Sequence, residues 1–227
     1  MTPKRLALTV LLAAWVVPSV YASPVILSPT AVTTNTMGTY PCCSYNELDM
    51  INRNGLISPF TSGVTDFSAY IATDPQHTVA ASGFEWFSPA DVTSGTLVFD
   101  LGTTYLVDRV AAWADEYAGF GTTNVWTSTD GIFFTAVGTF TPTNHPPAGS
   151  TITYGADIAL LTVSPARYVR FDILGPQTPR EYEGLGIGEI AFSVSPAATA
   201  IPEPSSMMLL AAGIGALARS RRRRTAR

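Results

Sequence analysis

The chain has 227 residues, of which 46% are hydrophobic and 13% charged, and its formal net charge is −4. Of its 13 Lys and Arg residues, two lie within the first five positions and six follow residue 218, which leaves five in the body of the chain. Sixteen of the 17 acidic residues lie in that body, so its net charge is about −11. A body this poor in cations cannot neutralise many phosphates, which argues against nucleic acid as a partner and instead suits solubility and divalent cations.

The first 22 residues have the three regions of a secretory signal peptide. Lys4 and Arg5 form the charged region, an apolar run covers 6–17, and small residues precede a cleavage site at Ala22. A buried N-terminal helix, the alternative, would not require this order. We therefore expect the mature chain to begin near Ser23 and to be exported.

The body, residues 23–196, is long enough for one domain with one core. One short helix is predicted over 45–52, with Leu48 and Ile51 on one face. Just before it, Cys42 and Cys43 are the only cysteines. Three states are open to them in an oxidising compartment: a vicinal disulfide, a link to another chain, or free thiols.

The rest of the body predicts strands bounded by Gly, Pro, Asn and Asp. Segments 95–102, 107–114, 166–174 and 189–194 show apolar residues in alternation, and Asp-Gly in the middle of 124–137 predicts a hairpin. This pattern favours an all-β, antiparallel sandwich. The residues expected to face the core are Leu97, Phe99, Leu101, Val169, Phe171, Ile173, Ile190, Phe192 and Val194.

Close to the C-terminal end, Pro202-Glu203-Pro204 precedes an apolar run and an Arg cluster. The run has about 14 residues, or roughly 21 Å as a helix, whereas a hydrocarbon core is about 30 Å thick. The three parts in this order resemble the PEP-CTERM sorting signal of Gram-negative bacteria, with an ordinary tail anchor as the alternative. The resemblance implies a region, 197–227, that holds a linker and a short transmembrane segment. It implies transient insertion into the inner membrane and removal by an exosortase.

Several strand segments of the body resemble the discoidin-type domain, a coagulation-factor C-type, galactose-binding-like module. The resemblance rests on the strand end at 97–102, the Ser-x-Asp-Gly hairpin at 128–134, Ala-Arg-Tyr-Val-Arg at 166–170, and Gly-Glu-Ile at 188–190. It implies a jelly-roll β-sandwich over 23–196. Sugar-binding members usually show Asp-Gly-Asp with a downstream Thr-x-Trp, whereas this chain has Thr65-Asp66 and, much later, Trp86.

Aromatic side chains beside loops are candidates for stacking on the apolar faces of sugars. A Trp in a sandwich is also a common core residue, and Trp86 and Trp126 are assigned to core or edge packing. The predicted ligand contacts, with Arg180 as a hydrogen-bond donor to hydroxyls, are Trp113, Tyr117, Phe120, Arg180 and Tyr182.

Calcium is the cofactor that the resemblance implies, through a Glu beside the last strand and an acidic early loop. These correspond to Glu189 and Asp66, and a solvated Glu at a strand end is the alternative for Glu189. Ca²⁺ takes six to eight oxygen ligands, backbone carbonyls among them.

The sequence therefore predicts an exported, non-enzymatic module at the cell surface or in an extracellular, biofilm-type matrix, with polysaccharide as its partner. Neither a His-Glu-x-x-His nor a Gly-x-Ser-x-Gly pattern occurs in it, so a hydrolase is a distant third reading. The second reading is a structural or adhesive matrix protein without a saccharide pocket.

Overall fold

The protein's structure, a computed structural model, describes residues 23–115, 118–143, 153–178 and 180–197. The predicted signal peptide and the sorting residues Pro202, Glu203 and Pro204 lie outside them. Ten strands occur within these ranges: β1 Val25–Leu27, β2 Ala31–Asn35, β3 Gln76–His77, β4 Trp86–Phe87, β5 Gly95–Ala114, β6 Thr123–Ser128, β7 Thr135–Phe140, β8 Tyr154–Gly155, β9 Asp157–Ile173 and β10 Gly186–Pro196.

The helices of the described residues are short. A 3-10 helix covers Glu47–Ile51, and one α-helix, α1, covers Phe67–Ile71. Neither they nor any other helix in the described ranges is long and apolar enough to span a bilayer.

Two long strands, β5 and β9, organise the sheet. The hydrogen-bonded order is β1-β10-β5-β9-β6-β7, with β2 added on β5 and β4 on β10, and β3 pairs β8 separately. The β5–β9 pairing is antiparallel and shifts register between Asp100 and Tyr105. The first part of β5 therefore pairs with β2 and the end of β9, and its second part pairs with β10 and the start of β9. The two parts form the two layers of an antiparallel β-sandwich.

Aromatic side chains from both layers meet in the main core. Phe99 of β5 lies 5.2 Å from Phe171 of β9 and 6.0 Å from Phe192 of β10, measured between ring centroids and with the rings edge to face. All three are fully buried. Such pairs contribute about 0.5–1.5 kcal/mol each beyond the area they bury. This cluster therefore holds the layers together.

A second, smaller core covers the outer side of the β10 layer. Trp113 of β5 and Ala191 of β10 pack there against Phe67 and Tyr70 of α1. On the outer face of the other layer, the described residues form no comparable second core, and side chains such as Thr96, Tyr168 and Arg170 are partly exposed there. This asymmetry decides where binding surfaces are available.

The predicted alternation of the strands is confirmed. All nine side chains expected to face the core are 0–2% exposed. The segments 95–102 and 107–114 turn out to be parts of one strand, β5, because the chain bends across the register shift without leaving the sheet. Trp86 is fully buried, as its assignment to the core requires.

Two local predictions need correction. The helix expected over 45–52 is a five-residue 3-10 helix, and its Leu48 is 47% exposed whereas Met50 and Ile51 are buried. The second strand of the hairpin predicted over 124–137 begins at Thr135 and not directly after Asp-Gly, because Oδ1 of Asp130 accepts the backbone N–H groups of both Ile132 and Phe133 and keeps them in the turn.

Candidate functional site

Two of the predicted ligand contacts are core residues. Trp113 is 0% exposed, and its Nε1 donates a hydrogen bond of 2.9 Å to the carbonyl of Pro75. Phe120 is also 0% exposed and packs 6.0 Å from Phe140 in the main core. Rings enclosed in this way cannot stack on a saccharide, so their predicted role as ligand contacts is corrected. Tyr117 lies outside the described residues.

The other two predicted contacts lie partly exposed in the loop that leads into β10. The hydroxyl of Tyr182 donates to the carbonyl of Ser88 at 2.9 Å, and burial raises the pKa of Tyr182 to about 12. Nη1 of Arg180 is buried and has no hydrogen-bond partner among the described residues. The Arg180 side chain as a whole is partly exposed, and a guanidinium carries five N–H donors.

Sequence reasoning missed two further tyrosines that join Tyr182. The ring of Tyr40 lies 5.6 Å from that of Tyr182, nearly perpendicular to it at 81°, and 6.3 Å from that of Tyr45. All three rings are partly exposed. We call Tyr40, Tyr45 and Tyr182 the tyrosine surface. The segment Tyr-Pro-Cys-Cys-Ser-Tyr at 40–45 signals it, because it places an aromatic ring on each side of the cysteine pair.

The tyrosine surface rests on ordered structure. Phe87 of β4, which is buried, contacts Tyr45 at 5.0 Å and Tyr182 at 5.8 Å between ring centroids. The backbone N–H of Tyr40 donates to the carbonyl of the same Phe87 at 2.8 Å. Between the tyrosines, Cys42 and Cys43 form a vicinal disulfide, one of the three states open to them, on an exposed loop. The rings are therefore held in place before any ligand arrives.

Glu189, the predicted metal ligand, is fully buried. A β-bulge between Ile187 and Glu189 precedes it, and its cross-strand partner is Trp113 on the side of the second core. Oε2 accepts a hydrogen bond of 2.7 Å from the backbone N–H of Arg53, whereas Oε1 has no hydrogen-bond partner among the described residues. Burial raises the pKa of Glu189 well above its usual value.

A buried polar network lies beside Glu189. Tyr154 donates its hydroxyl to Oε1 of Glu85 at 2.9 Å, and Nδ1 of His77 lies 3.4 Å from that same oxygen. All three side chains are 0–1% exposed. A Cβ on Gly188 would lie 2.4 Å from the Tyr154 hydroxyl, so only glycine fits between Glu189 and this network. The three members of this network are all buried, so none of them is available to a ligand at the surface.

The two predicted metal ligands differ in how well they fit a cation. Glu189 has a buried oxygen, Oε1, without a hydrogen-bond partner among the described residues, and carboxylate oxygens are the ligands that Ca²⁺ prefers. Asp66 has another role in the structure: its Oδ1 accepts the backbone N–H of Ala69 at 2.8 Å and caps helix α1. No group of three or more His, Cys, Asp or Glu side chains in the described ranges is placed to hold a metal ion.

An open groove of about 580 Å³ lies at the surface beside Arg53, the residue whose backbone N–H donates to Glu189. It is lined by 52–54 and 59–62, and Arg53 lies across it with its Cζ 5.8 Å from the centroid of Phe60. Phe60 is only 6% exposed. The groove therefore offers hydrogen-bonding groups without an aromatic platform.

Known proteins match the chain in two separate parts. Residues 200–224 match the family model of the PEP-CTERM protein-sorting motif. Among solved structures, the C-terminal domain of a chitobiase from Bacteroides fragilis is similar with a TM-score of 0.51, at 13% identity over 76% of this chain and 99% of that domain.

Two carbohydrate-binding modules give lower scores. CBM32-3 from a family 31 glycoside hydrolase of Clostridium perfringens has a TM-score of 0.40, at 16% identity over 48% of this chain and 74% of that one. The CBM32 of AlyQ, in complex with 4,5-unsaturated mannuronic acid, has a TM-score of 0.36, at 20% identity over 48% and 75%. No curated protein matches the chain.

The sorting signal predicted around Pro202, Glu203 and Pro204 is confirmed, and the motif marks an exported protein. The described strands confirm the predicted fold class. The chain thus combines a C-terminal PEP-CTERM sorting motif with an antiparallel β-sandwich that is similar in fold to the C-terminal domain of a chitobiase.

Proposed function

We propose that the protein is a non-enzymatic module that binds carbohydrate, most simply an exopolysaccharide, through its tyrosine surface. The observation that carries the proposal is the cluster of three partly exposed tyrosine rings, Tyr40, Tyr45 and Tyr182, fixed against a buried Phe87. The fold likeness to a domain of a chitobiase supports the same ligand class.

The chemistry of the tyrosine surface suits saccharides. Aromatic rings cover the apolar C–H faces of pyranose rings, and polar groups at the edge bond the hydroxyls. Arg180, which is partly exposed and lies in the same loop as Tyr182, is the candidate for such a donor. Rings that are already ordered in the free protein lose little conformational freedom on binding, which favours affinity.

A structural or adhesive matrix role is the second candidate. Ile132 and Phe133, in the turn between β6 and β7, are 75% and 80% exposed. Exposed apolar side chains of this size suit contact with another surface. A protein that binds no saccharide yet self-associates through this turn would favour the adhesive role.

The proposed location follows from the sorting motif. An exosortase would recognise the Pro-Glu-Pro region while the apolar run that follows holds the chain transiently in the inner membrane. The body would then be released to the cell surface or the extracellular matrix. Proline favours an extended backbone before it, which a protease cleft requires.

Calcium is the cofactor we propose, with Glu189 as its side-chain ligand. The unpartnered Oε1 in a fully buried carboxyl supports it. A bound cation would keep Glu189 ionised and would fix the loop of Arg53 against β10. In the sequence, the 3-10 helix connects this loop to Tyr45 of the tyrosine surface. Its role would be structural.

A glycan array of the purified protein, with Ca²⁺ and with a chelator, tests the proposed function. We expect binding to a subset of saccharides and loss of that binding when Tyr40 or Tyr45 is replaced by Ala. An array without any bound glycan would contradict the proposal.

A further inference from the structure

The layer of the sandwich that lies opposite the second core carries another concave surface on its outer face. It lies on the outer side of the layer formed by β2, the first part of β5, the end of β9 and β6. Here Thr96, Arg170 and Tyr168 point away from the core, opposite to their buried neighbours in the same strands. The hollow encloses about 450 Å³. We call it the sheet-face groove.

Arg170 lines the sheet-face groove and is held by hydrogen bonds. Its Nε and Nη2 donate to the two oxygens of Asp172 at 2.9 and 2.6 Å, and Thr96 donates its hydroxyl to Asp172 at 2.8 Å. The Arg170 hydrogen bond lowers the pKa of Asp172, so the pair stays ionised. Nη1 has no hydrogen bond to a described residue and remains a donor for a ligand.

Aromatic rings flank this guanidinium. Cζ of Arg170 lies 5.3 Å from the ring centroid of Trp126 and 5.6 Å from that of Phe134. Phe134 and Tyr168 both line the groove. The guanidinium is therefore fixed by stacking as well as by its ion pair, without help from a ligand.

The β6–β7 turn forms one wall of the groove. Gly131 has a φ of +76°, and a Cβ there would lie 3.2 Å from the ring of Tyr168. Glycine at this position thus lets the turn approach that ring closely. Thr33 and Thr34 of β2 line the groove as well and add hydroxyl groups.

From this arrangement we infer that the sheet-face groove is a binding site for a neutral, hydroxyl-rich saccharide segment. The hydrogen-bonding groups of Arg170 and Asp172 suit the vicinal hydroxyls of a sugar, and the aromatic rings beside them suit its C–H faces. The volume of the groove, about 450 Å³, lies within the range of small-molecule sites. An acidic saccharide fits less well, because Asp172 already neutralises Arg170 and the body as a whole is acidic. The inference shares its ligand class with the proposed function but uses another surface, so either can fail alone.

Two sites on one module would let the protein hold two segments of polysaccharide at once. Binding at the second site is then strengthened by the first when one polymer reaches both. When two different polymers occupy the two sites, the protein would cross-link them, which a single surface could not do.

Affinity electrophoresis of the full chain through gels that contain dextran, galactomannan or alginate tests the inference. We expect dextran or galactomannan to retard the protein, and Phe134→Ala and Tyr168→Ala to weaken that retardation at least about tenfold. Phe133→Ala, a change in the same turn but outside the groove, is the matched control and should bind like the parent. Thr34→Val, a near-isosteric change at an exposed position, should weaken binding without lowering the melting temperature.

The outcomes separate the two sites. Weakening by the groove variants but not by Tyr40→Ala supports the sheet-face groove and counts against the tyrosine surface. Parent-like retardation of Phe134→Ala, Tyr168→Ala and Thr34→Val overturns the inference, and it leaves the proposed function standing if Tyr40→Ala weakens binding. Retardation by alginate alone, or by none of the polymers, also overturns it.

Discussion

The backbone N–H of Arg53 and the carboxylate of Glu189 are joined by a hydrogen bond of 2.7 Å across 136 residues of chain. It ties the loop after the 3-10 helix to the last strand. It also supplies the one hydrogen bond that the described residues give this fully buried carboxyl. Stability should therefore depend on the charge of Glu189.

Without divalent cations, raising the pH should destabilise the protein through Glu189. Its folded-state pKa is raised above 4.5 by burial, so the folded state keeps the proton to higher pH than the unfolded chain. Stability is then greatest below about 4.5 and falls as the pH rises toward the raised value. Melting temperatures in a chelator from pH 4 upward should show this fall.

Glu189→Gln isolates the contribution of that one carboxyl. Burial also raises the pKa of Asp49, and the ionisation of Asp49 lowers stability in the same direction as that of Glu189. The pH profile of the parent alone therefore cannot assign the effect to Glu189. The Gln variant should lose less stability than the parent over this pH range. Identical pH profiles would show that the Glu189 carboxyl does not carry the effect.

Calcium should reverse the destabilisation at neutral pH. A ligand at a hundredfold excess over its Kd stabilises the native state by about 2.7 kcal/mol, which corresponds to a rise of roughly 5 °C or more in Tm. Mg²⁺ at equal ionic strength is the control, because it requires a smaller, near-octahedral shell and should do less. Equal shifts from both ions, or an undiminished response in Glu189→Gln, would refute the site.

Asp66 should act as a helix cap rather than as a calcium ligand. Asp66→Ala removes the acceptor for the Ala69 N–H and should cost about 1 kcal/mol in the free energy of unfolding. Asp66→Asn keeps that acceptor and should be close to the parent in urea denaturation. Its calcium response should also match the parent; a weakened response would restore Asp66 as a ligand.

Sequence reasoning reached the fold but only part of the site. Alternation located Phe99, Phe171 and Phe192 correctly, because a strand with one buried face must repeat every two residues. The same alternation does not say whether the opposite face is covered. Trp113 was misplaced for that reason: the face it occupies is buried under helix α1. Tyr40 and Tyr45 join Tyr182 only through the fold, across about 140 residues of chain.

Both ends of the chain should be absent from the mature protein. The signal pattern before Ser23 and the sorting motif at 200–224 are the reasons. Intact mass spectrometry of protein recovered from the native cell envelope should lack residues 1–22 and the segment beyond the Pro-Glu-Pro region. A mature form that retains Arg221 to Arg224 would show that the motif is not processed.

The tyrosine surface is tested most directly by the Kd for the saccharide with the strongest array signal. Isothermal calorimetry would use a chain that already carries Phe134→Ala, so that the sheet-face groove does not contribute. Adding Tyr40→Ala or Tyr45→Ala should then weaken binding at least about tenfold, because each removes a ring from a preorganised cluster. Phe133→Ala, which removes an exposed ring elsewhere, should leave the Kd unchanged. A Kd that is the same with and without Tyr40 and Tyr45 would contradict saccharide binding at this surface.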